Sequence, residues 1–152
     1  MTPRIIASLL LAALGACAPH DKEPQVDAQR TYKSIPAPTQ SGVVQHITGA
    51  DDGKTVTVKA GTKIQVDLVG VPTAGYIWQV KEAPAFLKKT GETSGATSEA
   101  QRQPGFAGGS HWEVFFFDVT GTGEGALVIE QRRPWEDDGP ADDTFSVTVR
   151  AE

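Results

Sequence analysis

Ser110 and His111 stand side by side, the residue types of a nucleophile and its general base. On an extended strand neighbouring side chains point to opposite faces, so this pair does not form an activated hydroxyl by itself. The other two histidines, His20 and His46, have no Cys, His or carboxylate partners at metal-ligand spacing. Gly49-Ala50-Asp51-Asp52-Gly53-Lys54-Thr55 looks like a phosphate cradle, but only three residues separate its glycines and a β-branched run follows instead of a helix. It predicts a hairpin turn. Glu136, Asp137, Asp138, Asp142 and Asp143 could attract calcium, yet they lack the alternating ligand spacing of a helix-loop-helix site and predict a solvated acidic loop. No two carboxylates have the context of a general acid and base. The expectation is no enzyme, no metal and no cofactor.

The chain has 152 residues, 39% apolar, 22% charged and 7% aromatic, which is material for one modest core. Its formal net charge of −5 argues against a partner that tracks nucleic-acid phosphates. A single cysteine, Cys17, excludes an intramolecular disulfide and a Cys-cluster zinc site. Arg4 precedes an apolar or small run from Ile5 to Leu14, then Leu14-Gly15-Ala16-Cys17. This predicts an export signal over residues 1–16, too short to span a bilayer, which needs roughly 20 residues. Leu14-Gly15-Ala16-Cys17 also resembles the lipobox of bacterial lipoproteins, which implies a lipid on the Cys17 sulfur and cleavage just before it. An ordinary secretory signal with a free cysteine is the alternative. Ala18 stands where that class has the Asp that looks like an inner-membrane retention signal, so the resemblance implies a cell-envelope lipoprotein of the outer membrane, facing the periplasm or the surface. Residues 18–40 contain Pro19, Pro24, Pro36 and Pro38 and no hydrophobic periodicity, which predicts a disordered tether.

From Ser41 to Glu152 the pattern changes to short period-two runs punctuated by Gly, Pro and Asp. Strands are predicted over Val43–Ile47, Thr55–Lys59, Lys63–Val69, Tyr76–Lys81, Trp112–Val119, Ala126–Gln131 and Thr144–Arg150. Ile64, Val66 and Leu68 share one face, as do Phe145, Val147 and Val149, while Val114 to Phe117 is apolar on both faces. Between Pro84 and Gly109 only a short edge strand near Thr97–Gln101 is predicted. Seven to eight strands without a normal amphipathic helix make an all-β, immunoglobulin-like antiparallel β-sandwich, with Trp78 in its core and no disulfide.

Three loops remain. Val71-Pro72-Thr73-Ala74-Gly75-Tyr76 is the first, Pro104-Gly105-Phe106-Ala107-Gly108-Gly109 the second, and Arg132-Arg133-Pro134-Trp135 opens the third. In an up-and-down sandwich alternate loops emerge at one end, so these three should cluster. Each alone reads as a tight turn, a flexible hairpin or an exposed Trp. In this order, on a sandwich behind an export signal, they resemble the three-loop signature of the chagasin-type (I42) inhibitors of papain-like cysteine peptidases. That family has Asn-Pro-Thr-Thr-Gly and an aromatic, then Gly-x-Gly-Gly, then Arg-Pro-Trp. Pro72, Thr73, Gly75 and Tyr76 match the first motif, Gly108 and Gly109 the end of the second, and Arg133, Pro134 and Trp135 the third. Val71 stands for the family's Asn and Ala74 for its second Thr, and the second motif's first Gly is unmatched unless Phe106 takes its place, with Ala107 after it.

The resemblance implies a monomeric, reversible, tight-binding inhibitor whose partner is a papain-like peptidase and whose only membrane contact is its N-terminal lipid. Thr73 would sit over the catalytic thiol, Gly108 and Gly109 against one wall of the cleft, and Trp135 against the other. A lipid-anchored adhesion or envelope-assembly module explains the signal, tether and sandwich equally well, but not the order of the loops.

Overall fold

The computed structural model describes residues 35–136 and 139–152. The predicted signal, Cys17, His20, the tether as far as residue 34, and Asp137 and Asp138 lie outside the described residues. Eight strands form: β1 (Val43–Thr48), β2 (Thr55–Val58), β3 (Lys63–Gly70), β4 (Ile77–Glu82), β5 (Leu87–Ala96), β6 (His111–Val119), β7 (Gly123–Arg132) and β8 (Asp143–Ala151). They make two four-stranded sheets, one in the order β1-β3-β6-β5 and the other β2-β8-β7-β4. Among the described residues the only helical elements are single 3-10 turns at Gly49–Asp51, Pro72–Ala74 and Glu99–Arg102.

The alternation read from the sequence decides what lies between the sheets. Ile64, Val66 and Leu68 of β3 meet Phe115 and Phe117 of β6 and, from the other sheet, Phe145, Val147 and Val149 of β8, all buried. Trp78 lies in this core, its indole Nε1 donating to the Val69 carbonyl 3.1 Å away. Val114 and Phe116 are also buried, on the opposite face of β6, as a run apolar on both faces requires.

Several expectations need correcting. The sandwich is not up-and-down: the connections after β1, β2, β3, β4 and β6 cross between sheets, and only β5–β6 and β7–β8 are hairpins within one sheet. The pairs β1–β3 and β2–β8, at one edge of each sheet, run parallel, while the other four pairs are antiparallel. Gly49–Thr55 is therefore a sheet-crossing turn and not a hairpin. No strand forms over Thr97–Gln101; the edge strand is β5, and Glu99–Arg102 is a 3-10 turn. β5 lacks legible alternation because its register shifts between Lys89 and Gly91, and because Gly91 and Gly95 face Phe116 and Trp112 of β6. A Cβ at Gly95 would collide with the Trp112 ring.

Residues 35–40, predicted as tether, lie along the domain. Ile35 N–H donates to Thr97 O (2.7 Å), Gln65 Nε2 donates to Pro38 O (3.2 Å), and Gln40 N–H donates to Gln65 Oε1 (3.3 Å). Pro38, Thr39 and Gln40 border the same crevice as Phe116, so the strap covers the second apolar face of β6. Their hydrogen bonds compensate Gln65, which is fully buried on that face.

Candidate functional site

Strand register brings the three loops to one end. Loop one (residues 71–76) leaves β3 at Gly70, which pairs with His111, the residue where loop two (97–110) enters β6. Loop one enters β4 at Ile77, which pairs with Arg132, the residue where loop three (133–142) leaves β7. Loop one thus spans the gap between the sheets, with loop two capping one sheet and loop three the other. The expected clustering holds, for this reason and not through alternate connections.

Loop one is a single 3-10 turn, Pro72–Ala74, with Thr73 at its centre. Pro72 fixes its first backbone angle, Ala74 N–H donates to Val71 O (3.0 Å), and Gly75 N–H donates to Pro72 O (2.8 Å). Gly75 closes the turn at φ 84°, the left-handed region that favours glycine. A Cβ there would also strike the six-membered ring of Trp135. Trp135, 67% exposed, thus has its six-membered ring packed against the loop-one backbone at Gly75. Tyr76 is held from the same side: the Arg133 guanidinium carbon lies 4.4 Å from its ring centre, and Arg133 Nη1 donates to Glu136 Oε1 at 3.0 Å. That bond, with the charge of Glu136, raises the Arg133 pKa. Pro134 joins these two anchoring residues.

Loop two is organised by a residue outside the predicted set. Gln101 Nε2 donates to Ser110 O (2.6 Å), and Gln101 Oε1 accepts from Ser98 N–H (2.9 Å). Its amide packs under Gly109, which has φ 97°, and a Cβ at that position would overlap it. Gly108 has φ 92° and open space around it. Phe106 is 47% exposed, and Ala107 lies between it and Gly108.

Beneath loop one lies a second missed residue, Glu113. It occupies an inward position of β6 and is only 8% exposed. Oε2 accepts from Trp78 N–H at 2.9 Å, while Oε1 has no partner. A Cβ at Gly70 would approach Oε1 within 2.6 Å, so Glu113 fits only because position 70 has no side chain. Burial pushes its pKa above the ordinary 4.5, against the lowering effects of the Trp78 bond and nearby His111 and with the raising effect of Glu92. A charge at an inward parity position in His111-Trp112-Glu113-Val114-Phe115 was the available sequence signal.

The remaining candidates fall elsewhere. His46 Nδ1 lies 2.7 Å from Asp67 Oδ2 and its Nε2 3.1 Å from Thr39 Oγ1, fastening the strap to β1 and β3. Ser110 Oγ is bonded to Thr97 Oγ1 at 2.9 Å, not to His111. Among the described residues no cluster of His, Cys, Asp or Glu has the arrangement of a metal site. No helix among them is long and apolar enough to cross a membrane.

Comparison with known proteins follows the same outline. The sequence profile of the chagasin family peptidase inhibitor I42 matches residues 57–149. Amoebiasin-1 of Entamoeba histolytica is 32% identical over 109 residues, 70% of this chain and 98% of its own. Chagasin of Trypanosoma cruzi is 29% identical over 107 residues, 68% of this chain and 92% of its own. The crystal structure of the cysteine protease inhibitor EhICP2 from Entamoeba histolytica shares the fold, with a TM-score of 0.60 at 18% identity, covering 71% of this chain and 95% of that one. With a profile match from β2 to β8 that contains all three loops, this chain belongs to the chagasin family of peptidase inhibitors.

Proposed function

We propose that this protein is a reversible, tight-binding inhibitor of papain-like cysteine peptidases that fills their active-site cleft with the three-loop tip. The observation that carries this is loop one standing across the gap between the sheets, with loops two and three fixed on either side by strand register. A cleft between two domains is matched by such a wedge with two flanks. Thr73 sits over the catalytic thiol, with no correctly placed carbonyl for it to attack. The backbone of Gly108 and Gly109 lies against one wall and the exposed ring of Trp135 against the other. Exposed aromatics are frequent hot spots at interfaces. The turn of loop one, the Gln101 brace of loop two and the Tyr76–Arg133 stack order the tip before binding, so little conformational entropy is lost on contact. Membership in a family of inhibitors accords with a tip that carries no nucleophile-base set.

We further propose that Cys17 is lipidated after removal of residues 1–16 and holds a monomeric inhibitor at the cell envelope. The motif Leu14-Gly15-Ala16-Cys17 supports this.

The test is titration of the full-length chain against papain and related peptidases, with the thiol enzyme as the varied component. Competitive, reversible inhibition without cleavage of loop one is the expected result. Thr73→Arg should raise the inhibition constant by roughly a hundredfold, because an unpaired charge is driven into a desolvated cleft. A folded wild-type chain that leaves every such enzyme uninhibited at micromolar concentration overturns the proposal.

A further inference from the structure

We propose that the peptidase footprint continues beyond the three loops onto Val69 of β3, where Val69 and Phe106 flank a notch that receives an uncharged apolar side chain from the cleft wall facing loop two. This rests on the inhibitor reading above and adds a specificity-determining residue that lies on a strand.

Val69 alternates with buried Leu68 and pairs with Trp112, so it projects from the outer face of its sheet. It is 61% exposed, although a strand position of this kind is ordinarily polar. Among the described residues the large exposed apolar side chains are Val44, Val69, Val71, Phe106 and Trp135. Single exposed apolar residues need no explanation, but all of these except Val44 gather at the tip end, and such a concentration marks a contact surface. Val69 and Phe106 border one notch of about 360 Å³ together with Thr97, Gln101, Gly109 and Ser110.

Three features select the occupant. Gly109 belongs to both the notch and the proposed tip, so a wall resting on Gly109 is already beside the opening. No residue bordering the notch carries a formal charge, and the neighbouring Arg102 is engaged by Glu99 at 2.9 Å. The notch therefore offers nothing to balance an incoming charge, and burying one would be costly. Its polar groups are internally bonded, with Ser110 O taken by both Thr97 Oγ1 and Gln101 Nε2, which leaves Val69 and Phe106 as the groups that gain from losing water. The ligand is thus an apolar side chain of the peptidase, and enzymes that present a charged residue there should be inhibited less well.

The experiment compares full-length wild type, Val69→Lys and Val69→Thr on a panel of papain-like peptidases, with melting temperature and size-exclusion mass measured in parallel. Val69→Lys should raise the inhibition constant tenfold or more, and Val69→Thr, which keeps the β-branched shape, by a few-fold. Melting temperatures should stay within about 2 °C, since exposed positions contribute little to stability. Val69→Lys and Val69→Thr that inhibit like an inhibitory wild type overturn the notch and leave the three-loop wedge standing. A change of oligomeric mass with unchanged inhibition also overturns it, in favour of contact between copies. A wild type that inhibits no enzyme overturns the inhibitor reading and the notch with it.

Discussion

A side chain at Gly75 would have to adopt φ 84° and displace the Trp135 ring as well. The first demand costs about 1 kcal/mol and the second removes the support of an interface aromatic. Gly75→Ala should therefore lower the melting temperature by several degrees and weaken inhibition at least tenfold. Trp135→Ala should also weaken inhibition tenfold or more, yet leave the melting temperature almost unmoved, because its ring is mainly exposed. Thermal melts beside inhibition titrations separate the two. Glu113 supplies a prediction in pH. Its folded pKa lies above its ordinary 4.5, so above pH 4.5 the unfolded chain releases this proton more readily than the native protein does. Stability that is fully present below 4.5 is thus lost as pH rises through the folded value. Glu113→Gln keeps an acceptor for Trp78 N–H without the buried charge. Melting curves from pH 4 to pH 8 should be flatter for Glu113→Gln, with a relative gain at the alkaline end; parallel curves would show that Glu113 is not responsible.

At the scale of elements, strands with a periodic apolar face were legible in the sequence and those shaped by their neighbours were not. Ile64, Val66, Leu68 and Phe145, Val147, Val149 announce β3 and β8 because these buried apolar residues alternate with polar ones, Gln65 and Asp67 on β3 and Ser146 and Thr148 on β8. β5 was missed because its partner β6 supplies the bulk, leaving glycine as the residue that fits opposite Trp112. Tip residues were legible as a motif, whereas Gln101 and Glu113, which hold the tip from behind, become visible only once the strands are registered. The strap over residues 35–40 was hidden for a related reason: it buries the apolar face of another element and has no periodic apolar pattern of its own. A chain begun at Ser41 should therefore melt several degrees below one begun at Ile35, since it uncovers Phe116 and removes both strap hydrogen bonds to buried Gln65, leaving Asp67 as its partner. Equal melting temperatures would show the strap to be dispensable.

For the whole molecule, removal of residues 1–16 would leave a formal net charge of −6, since Arg4 is their only charged side chain. Such a domain has no electrostatic reason to adhere to an anionic bilayer, so the proposed anchoring rests wholly on a lipid at Cys17. Cys17→Ser should move the protein from the detergent-extracted to the soluble fraction of cells, and unchanged partitioning would remove the lipid anchor. Loop one has its feet on different sheets, Gly70 on one and Ile77 on the other, while the flanking loops each belong to a single sheet. The wedge is in effect a calliper whose opening is the thickness of the filling between its arms, about 10 Å for packed sheets. Leu68, Trp78 and Phe145 are part of that filling near the calliper's mouth. Trimming or enlarging them would change the jaw width as well as the fold's cohesion, so selection for a particular cleft could act on residues that no peptidase ever touches.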